Sequence, residues 1–142
     1  MTTAQKVFEL AIALMDSQDS SGKADGADNK EYQNRTLGIL NILQQELYTF
    51  SDTYEAEDEG RPTPSDIKEW DRPIDLDDKI CVGVMPYGLA AHLLLAEDPA
   101  TASFLQQRYE ELKAKLPEGM PAKSRDVEDL YGGWPYNDFG RW

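Results

Sequence analysis

One apolar stripe sets the terms for this chain. Leu76, Ile80, Val84, Tyr87, Ala91 and Leu94 recur at three- and four-residue spacing, the period of a helix buried along one face. Pro86 stands in the middle of that stripe, between Gly83 and Gly88. A proline inside a helix deletes one backbone hydrogen bond and clashes with the carbonyl four residues back. Either the helix kinks at VGVMPYG or two helices meet there. The apolar face keeps its phase across the proline, which favours a kink. The helix is expected to start at Asp75, with Asp78 at its third position. The small residues Gly88, Ala90 and Ala91 would let a neighbouring helix approach closely.

Three more helices complete the body. The first begins after Thr2 or Thr3. Its two overlapping stripes, Val7, Leu10, Ala11, Leu14 and Phe8, Ile12, Met15, cover more than half the circumference, so it should be largely buried. The second opens with Asp28 as N-cap and Glu31 three residues on, a capping-box spacing. Its stripe runs Thr36, Leu40, Leu43, Leu47, Phe50, with Ile39 and Ile42 beside it. Gly38 costs about 1 kcal/mol relative to Ala inside a helix, which points to close backbone packing there. The fourth is capped by Asp98, takes Pro99 at its first position, carries Ala102, Leu105, Tyr109, Leu112 and Leu116 as its stripe, and stops at Pro117 and Gly119.

The expected fold is therefore all-α. A four-helix domain spans 1–117, with an irregular acidic arm at 51–74 between helices 2 and 3. An extended aromatic C-terminal tail follows at 118–142. The arm holds Pro62, Pro64, Pro73 and Gly60 and breaks both helical and strand periodicity, leaving room for at most a short hairpin or strand. Irregular stretches of that length inside a compact domain are usually functional or disordered.

Charge narrows the function. The chain has 27 acids against 14 Lys and Arg, a formal net charge of −13. Binding to nucleic-acid phosphates needs clustered Lys and Arg, and docking on anionic lipid needs the same, so no specific nucleic-acid or membrane binding is expected. Residues 51–78 alone hold eleven acids and three bases. That run reads either as a solvated linker or as a surface that repels DNA. No stretch approaches the roughly twenty apolar residues of a membrane span. VFELAIALM carries Glu9 and lacks a basic leader, so it does not read as a signal peptide.

Catalytic chemistry does not assemble from the residues. His92 is the single histidine and lies in GLAAHLLL beside an apolar face, where a structural role at a packing edge is expected. Cys81 is the single cysteine, between Ile80 and Val82, and reads as a buried, inert thiol. GxSxG, P-loop, GxGxxG and HExxH patterns are absent. The loop DSQDSSGKADGADNKE resembles a calcium loop in composition only. Placing Gly22 at the sixth position puts Ser17, Asp19 and Ser21 at the first three ligand positions and Asp28 where a bidentate Glu belongs. No enzyme activity, metal site or cofactor is expected.

LDDKICVGVMPYGLAAHLLLAEDPATASFLQQRYEELKAKL resembles the C-terminal helical pair of head–tail connector proteins of tailed bacteriophages, also called head-completion or adaptor proteins. The matching parts are the Asp-rich start at Asp75 to Asp78, PYGLAAHL at Pro86 to Leu93, the turn at Glu97 to Pro99 and the helix from Ser103 to Leu112. RTLGILNILQQEL, Arg35 to Leu47, is similar to the second helix of the same group. Together these cover about 80 residues and form a pattern rather than a chemical signature.

The resemblance implies a non-enzymatic virion structural protein. It would be a subunit of a homo-oligomeric ring in the phage neck, assembled in the host cytoplasm. Its partners would be the portal protein and a tail-completion protein, around a channel for DNA. An acidic channel lining would let phosphates slide past. The same resemblance gives a use for YGGWPYNDFGRW, where five of the last twelve residues are aromatic. Tyr131, Trp134, Tyr136, Phe139 and Trp142 would anchor in a partner's pockets, and Arg141 would add a charge-assisted bond. The alternative is that this segment folds back and fills a groove on its own helices. A rival reading of the whole chain is an acidic DNA mimic that blocks a nucleic-acid-binding partner.

Overall fold

The computed structural model describes residues 1–15, 29–54 and 62–118, and among these the fold is all-α. Five helical segments follow in order: α1 (Ala4–Leu14), α2 (Lys30–Leu47), α3 (Asp78–Gly83), α4 (Met85–Leu94) and α5 (Pro99–Lys115). Single 3₁₀ turns, Tyr48–Phe50 and Leu116–Glu118, extend α2 and α5. Extended pairing among the described residues is limited to one isolated antiparallel bridge, Thr3 to Pro73.

The third expected helix is divided in two rather than kinked. Val84, at φ −122° and ψ −51°, leaves helical geometry for one residue between α3 and α4. Its N–H still bonds to the Ile80 carbonyl. Pro86 thereby becomes the second residue of α4, where a missing N–H removes no intrahelical bond. The apolar phase survives the break, as Leu76, Ile80, Val84, Ala91 and Leu94 are all buried. Burial goes further than one stripe, because Met85, Pro86, Gly88, Leu89, Ala90 and Leu93 of α4 are covered too. A helix apolar on nearly every side belongs at the centre of a core. Around α4 pack α1, α2, α3 and α5.

Each surrounding helix presents the face expected of it, with exceptions. Val7, Phe8, Ala11 and Ile12 of α1 are fully buried; Leu14 is exposed. On α2, Thr36, Leu40, Leu43 and Leu47 face the core, whereas Ile42 is 67% exposed and Phe50 lies at the surface. Thr36 tolerates its burial by donating its hydroxyl to the Tyr32 carbonyl one turn back, at 2.7 Å. The α2 N-cap position is Asn29 rather than Asp28, which lies outside the described residues, and no side-chain cap bond forms there. α5 buries Ala102, Leu105 and Tyr109.

The described part of the arm is anchored, not a free linker. Ile67 and Ile74 are buried in the core. Trp70 meets Phe8 edge to face, with ring centroids 5.3 Å apart. Gln5 in the first turn of α1 donates its N–H to the Trp70 carbonyl, and Ile74 N–H bonds to the Thr2 carbonyl at 2.8 Å. Asn41 on α2 holds the arm as a strand neighbour would. Its Oδ1 accepts from Ile67 N–H at 2.7 Å, and its Nδ2 donates to the Ile67 carbonyl at 3.0 Å. Gln44, fully buried beside it, donates to the Ser65 carbonyl.

The expected helix start at Asp75 is also corrected. α3 begins at Asp78 because residues 75–77 are committed to the turn after α2. The Asp75 carbonyl accepts from Thr53 Oγ1, Asp77 N–H bonds to Ser51 Oγ, and Asp77 Oδ2 accepts from Asp52 N–H. Asp78 in turn accepts the Thr2 hydroxyl at 2.7 Å.

Two of the helical glycines, Gly38 and Gly88, behave oppositely. A Cβ on Gly88 would sit 3.0 Å from two ring carbons of Tyr109 and 3.1 Å from Leu43 Cδ2, whereas one on Gly38 would meet nothing within 4 Å. Close packing occurs at Gly88 as expected; at Gly38 it does not. Gly88→Ala is expected to cost about 1–3 kcal/mol by overpacking. Gly38→Ala is expected to gain about 0.5–1 kcal/mol by removing a flexible residue from an exposed helix interior. Urea unfolding of both variants against the parent measures the two signs.

Candidate functional site

The α4–α5 turn carries the most organised surface of the body. Asp98 caps α5 as its sequence position predicts. Its carboxylate accepts from Thr101 N–H at 3.2 Å and from the Thr101 hydroxyl at 2.6 Å. These bonds, the hydroxyl's first, hold the Asp98 carboxyl below its ordinary range. The turn is also gripped from α2. The Tyr32 hydroxyl donates to the Glu97 carboxylate, and Arg35 donates to the Leu93 carbonyl at 3.2 Å while its guanidinium lies 5.8 Å from the Tyr32 ring centre. Tyr32 is pushed up to about 12, by its bond to Glu97 first and then by burial.

Just beyond this clamp the two helices part. Ala91, His92 and Leu95 from the α4 side and Ala102, Ser103 and Gln106 from α5 line a groove of about 240 Å³. Its floor is open because Ala91 and Ala102 are short, and Leu95 at its edge is 63% exposed. None of the six lining residues carries a carboxylate, in a chain with 27 acids. His92, expected at a packing edge, is an exposed residue of this lining. Ser103 and Gln106 are its polar companions in the lining.

Further along, α5 is tied to α2 by Lys113, which pairs with Glu46 and, at 3.0 Å, with Glu110. The Lys113 ammonium sits 5.3 Å from the Tyr109 ring centre. Tyr109 is itself buried, and its hydroxyl is raised by that burial first and by the nearby Glu46 charge second. The Tyr109 hydroxyl and Gln44 Oε1 are buried without a hydrogen-bond partner among the described residues.

Tyr131, Trp134, Tyr136, Phe139, Arg141 and Trp142, the residues expected to hold a partner, all lie outside the described residues. So does most of the loop tested for calcium. Among the described residues no group of three or more His, Cys, Asp or Glu is placed to hold a metal ion, and no helix is long and apolar enough to cross a membrane. Cys81 is buried, and burial followed by the charges of Asp78 and Asp77 pushes its thiol up to about 12. Periodicity does not reveal the α4–α5 groove, because its described lining is shared between two helices. Compared with protein-family models, curated proteins and solved structures, the chain matches none.

Two outcomes follow from these environments. The thiol of Cys81 should resist a disulfide exchange reagent at pH 8 in the folded protein and react at once in denaturant, since only the thiolate attacks. A native reaction as fast as the denatured one would contradict the burial. The Tyr32 contribution has its own pH sign. A phenol whose folded pKa is raised lends stability that is complete below the ordinary value near 10 and is lost as pH rises towards about 12. Tyr32→Phe should therefore be less stable than the parent at pH 8, with the gap closing above pH 10 in chemical denaturation.

Proposed function

We propose that this chain is a non-enzymatic subunit of a phage head–tail connector ring, joining portal to tail around the DNA channel. The observation that carries the proposal is the α4–turn–α5 pair. Three of the stretches that resemble connector proteins have a structural task within it. PYGLAAHL supplies the central helix and the Gly88 contact, Glu97 to Pro99 makes the clamped and capped turn, and the helix from Ser103 to Leu112 supplies Leu105 and Tyr109 to the core. RTLGILNILQQEL supplies Leu43, which closes on the same glycine. Parts of a pattern that meet in one packed unit support a common helical scaffold more strongly than the same residues scattered through a fold.

Charge supports the same reading. The described acids of the arm, Asp52, Asp66, Glu69 and Asp71, are exposed. Around a channel such residues would keep phosphates from sticking. The portal protein, a tail-completion protein and further copies of this chain are the proposed partners, with the aromatic segment 131–142 as the hook.

The test is co-purification. The tagged chain, whole and cut after Leu130, is produced in cells that also make the portal and tail-completion proteins of the same phage, and captured proteins are identified by mass spectrometry. A portal-sized, ring-forming protein retained by the whole chain and lost by the shortened one is the expected result. Capture of a basic DNA-binding protein by both forms would replace the connector with an acidic mimic.

A further inference from the structure

We infer that Phe104 of one copy of this chain seats in the α4–α5 groove of the next, so that copies join head to tail. The inference deepens the ring reading, on which it rests, by naming the joint between neighbours. Both halves of that joint stand on the helical body. The groove, of about 240 Å³, is smaller than the roughly 300–1,000 Å³ of small-molecule sites and has room for one large side chain. Phe104 projects from α5 with 65% of its surface exposed, more than any other aromatic among the described residues. A single exposed apolar residue is ordinary. What sets this one apart is its position relative to the groove.

A helix turns about 100° per residue, which places Phe104 about 100° round α5 from Ser103 and about 160° from Ala102 and Gln106. Projection and groove therefore lie at one level of the same helix but on different sides of it. Phe104 cannot bend into its own groove. A two-fold pair of copies cannot turn both sides towards each other at once. A contact between unlike faces instead repeats from copy to copy, and it closes into a ring or runs on as a filament.

Charge supports the same pairing. Arg108 follows Phe104 by one turn on the projecting side. Glu110 follows Gln106 by one turn on the groove side and accepts the Gln106 amide N–H at 3.1 Å. With α5 of neighbouring copies running the same way, Arg108 falls opposite Glu110 of the next copy. Their present pairs are Arg108 with Glu111 at 3.3 Å and Glu110 with Lys113 at 3.0 Å. Exposed pairs of this kind are worth little, so rearranging them costs little. Ala100 and Gln107, which flank Phe104 on its outer face, are exposed and uncharged.

Sedimentation velocity of the full-length chain, from micromolar to millimolar concentration, tests the joint with two variants at exposed positions. Phe104→Ala removes the projection and keeps the groove, whereas Ser103→Arg crowds the groove and keeps the projection. The parent is expected to grow past the dimer as concentration rises. Each variant alone should associate about thirtyfold more weakly, the loss that marks an interface anchor. Mixed in equal amounts, the two should form a dimer and stop there, because one intact projection and one intact groove remain to meet. Thermal melting followed by circular dichroism reports that each variant keeps its fold. A parent that stays monomeric throughout, a Phe104→Ala variant that associates like the parent, or a mixture without dimer would each overturn the inference. Portal capture is read separately by co-purification, so failure of the joint and failure of the connector reading are told apart.

Discussion

The body depends on a missing side chain. A Cβ on Gly88 would press on the ring of Tyr109 at 3.0 Å and on a methyl of Leu43 at 3.1 Å, so α2, α4 and α5 converge on one point of bare backbone. Tyr109 is only 1% exposed in consequence. Fully burying a large apolar side chain is worth about 1.5–3 kcal/mol, and that gain is available here only because α5 can lie against α4 itself. Once α5 is placed, Lys113 falls beside Glu46, and the turn between α4 and α5 falls within reach of Tyr32 and Arg35. The polar ties between α2 and the helix pair are thus consequences of the close approach rather than its cause.

The arm shows how an irregular segment becomes part of a core without a sheet. Buried backbone groups must find partners. Here side-chain amides supply them. Asn41 meets both the N–H and the C=O of Ile67, and Gln44 meets Ser65. The arm in turn gives the Trp70 carbonyl to the Gln5 N–H in the first turn of α1. Its acids divide into two kinds. Asp77 and Asp78, just after the arm, accept specific hydrogen bonds from Asp52 and Thr2, while Asp66, Glu69 and Asp71 within it face solvent. Total charge alone could not separate these roles.

The same division explains what was legible in the sequence. Features fixed by neighbours a few residues away were readable: a start of α1 after Thr2 or Thr3, the Asp98 cap, the core stripes of α1 and α5, and the buried face of α3 and α4. Features set by distant partners were not. The start of α3 moves from Asp75 to Asp78 because Ser51 and Thr53, more than twenty residues earlier, claim residues 75–77. Gly38 and Gly88 look alike as helical glycines, yet only one has a ring above it. Gln44 and Tyr32 are polar enough to be placed outside, and both are buried because α2 has an arm on one side and a turn on the other. The groove was invisible for the same reason, since its described lining is shared between two helices.

Adhesion in so acidic a chain is confined by electrostatics. Each carboxylate taken into an interface must lose its water, and without a cationic partner that loss exceeds what apolar contact returns. With 27 acids and 14 Lys and Arg, most faces cannot be compensated from within the molecule. Contact surfaces must therefore lie where carboxylates are absent or be met by a basic partner. The α4–α5 groove, whose described lining residues carry no carboxylate, is one such place, and residues 131–142 hold five aromatics with a single acid and a single base. For a proposed ring subunit, this separation has a use. In that reading the acids would face DNA and repel it, while the pieces poor in carboxylates would meet protein surfaces.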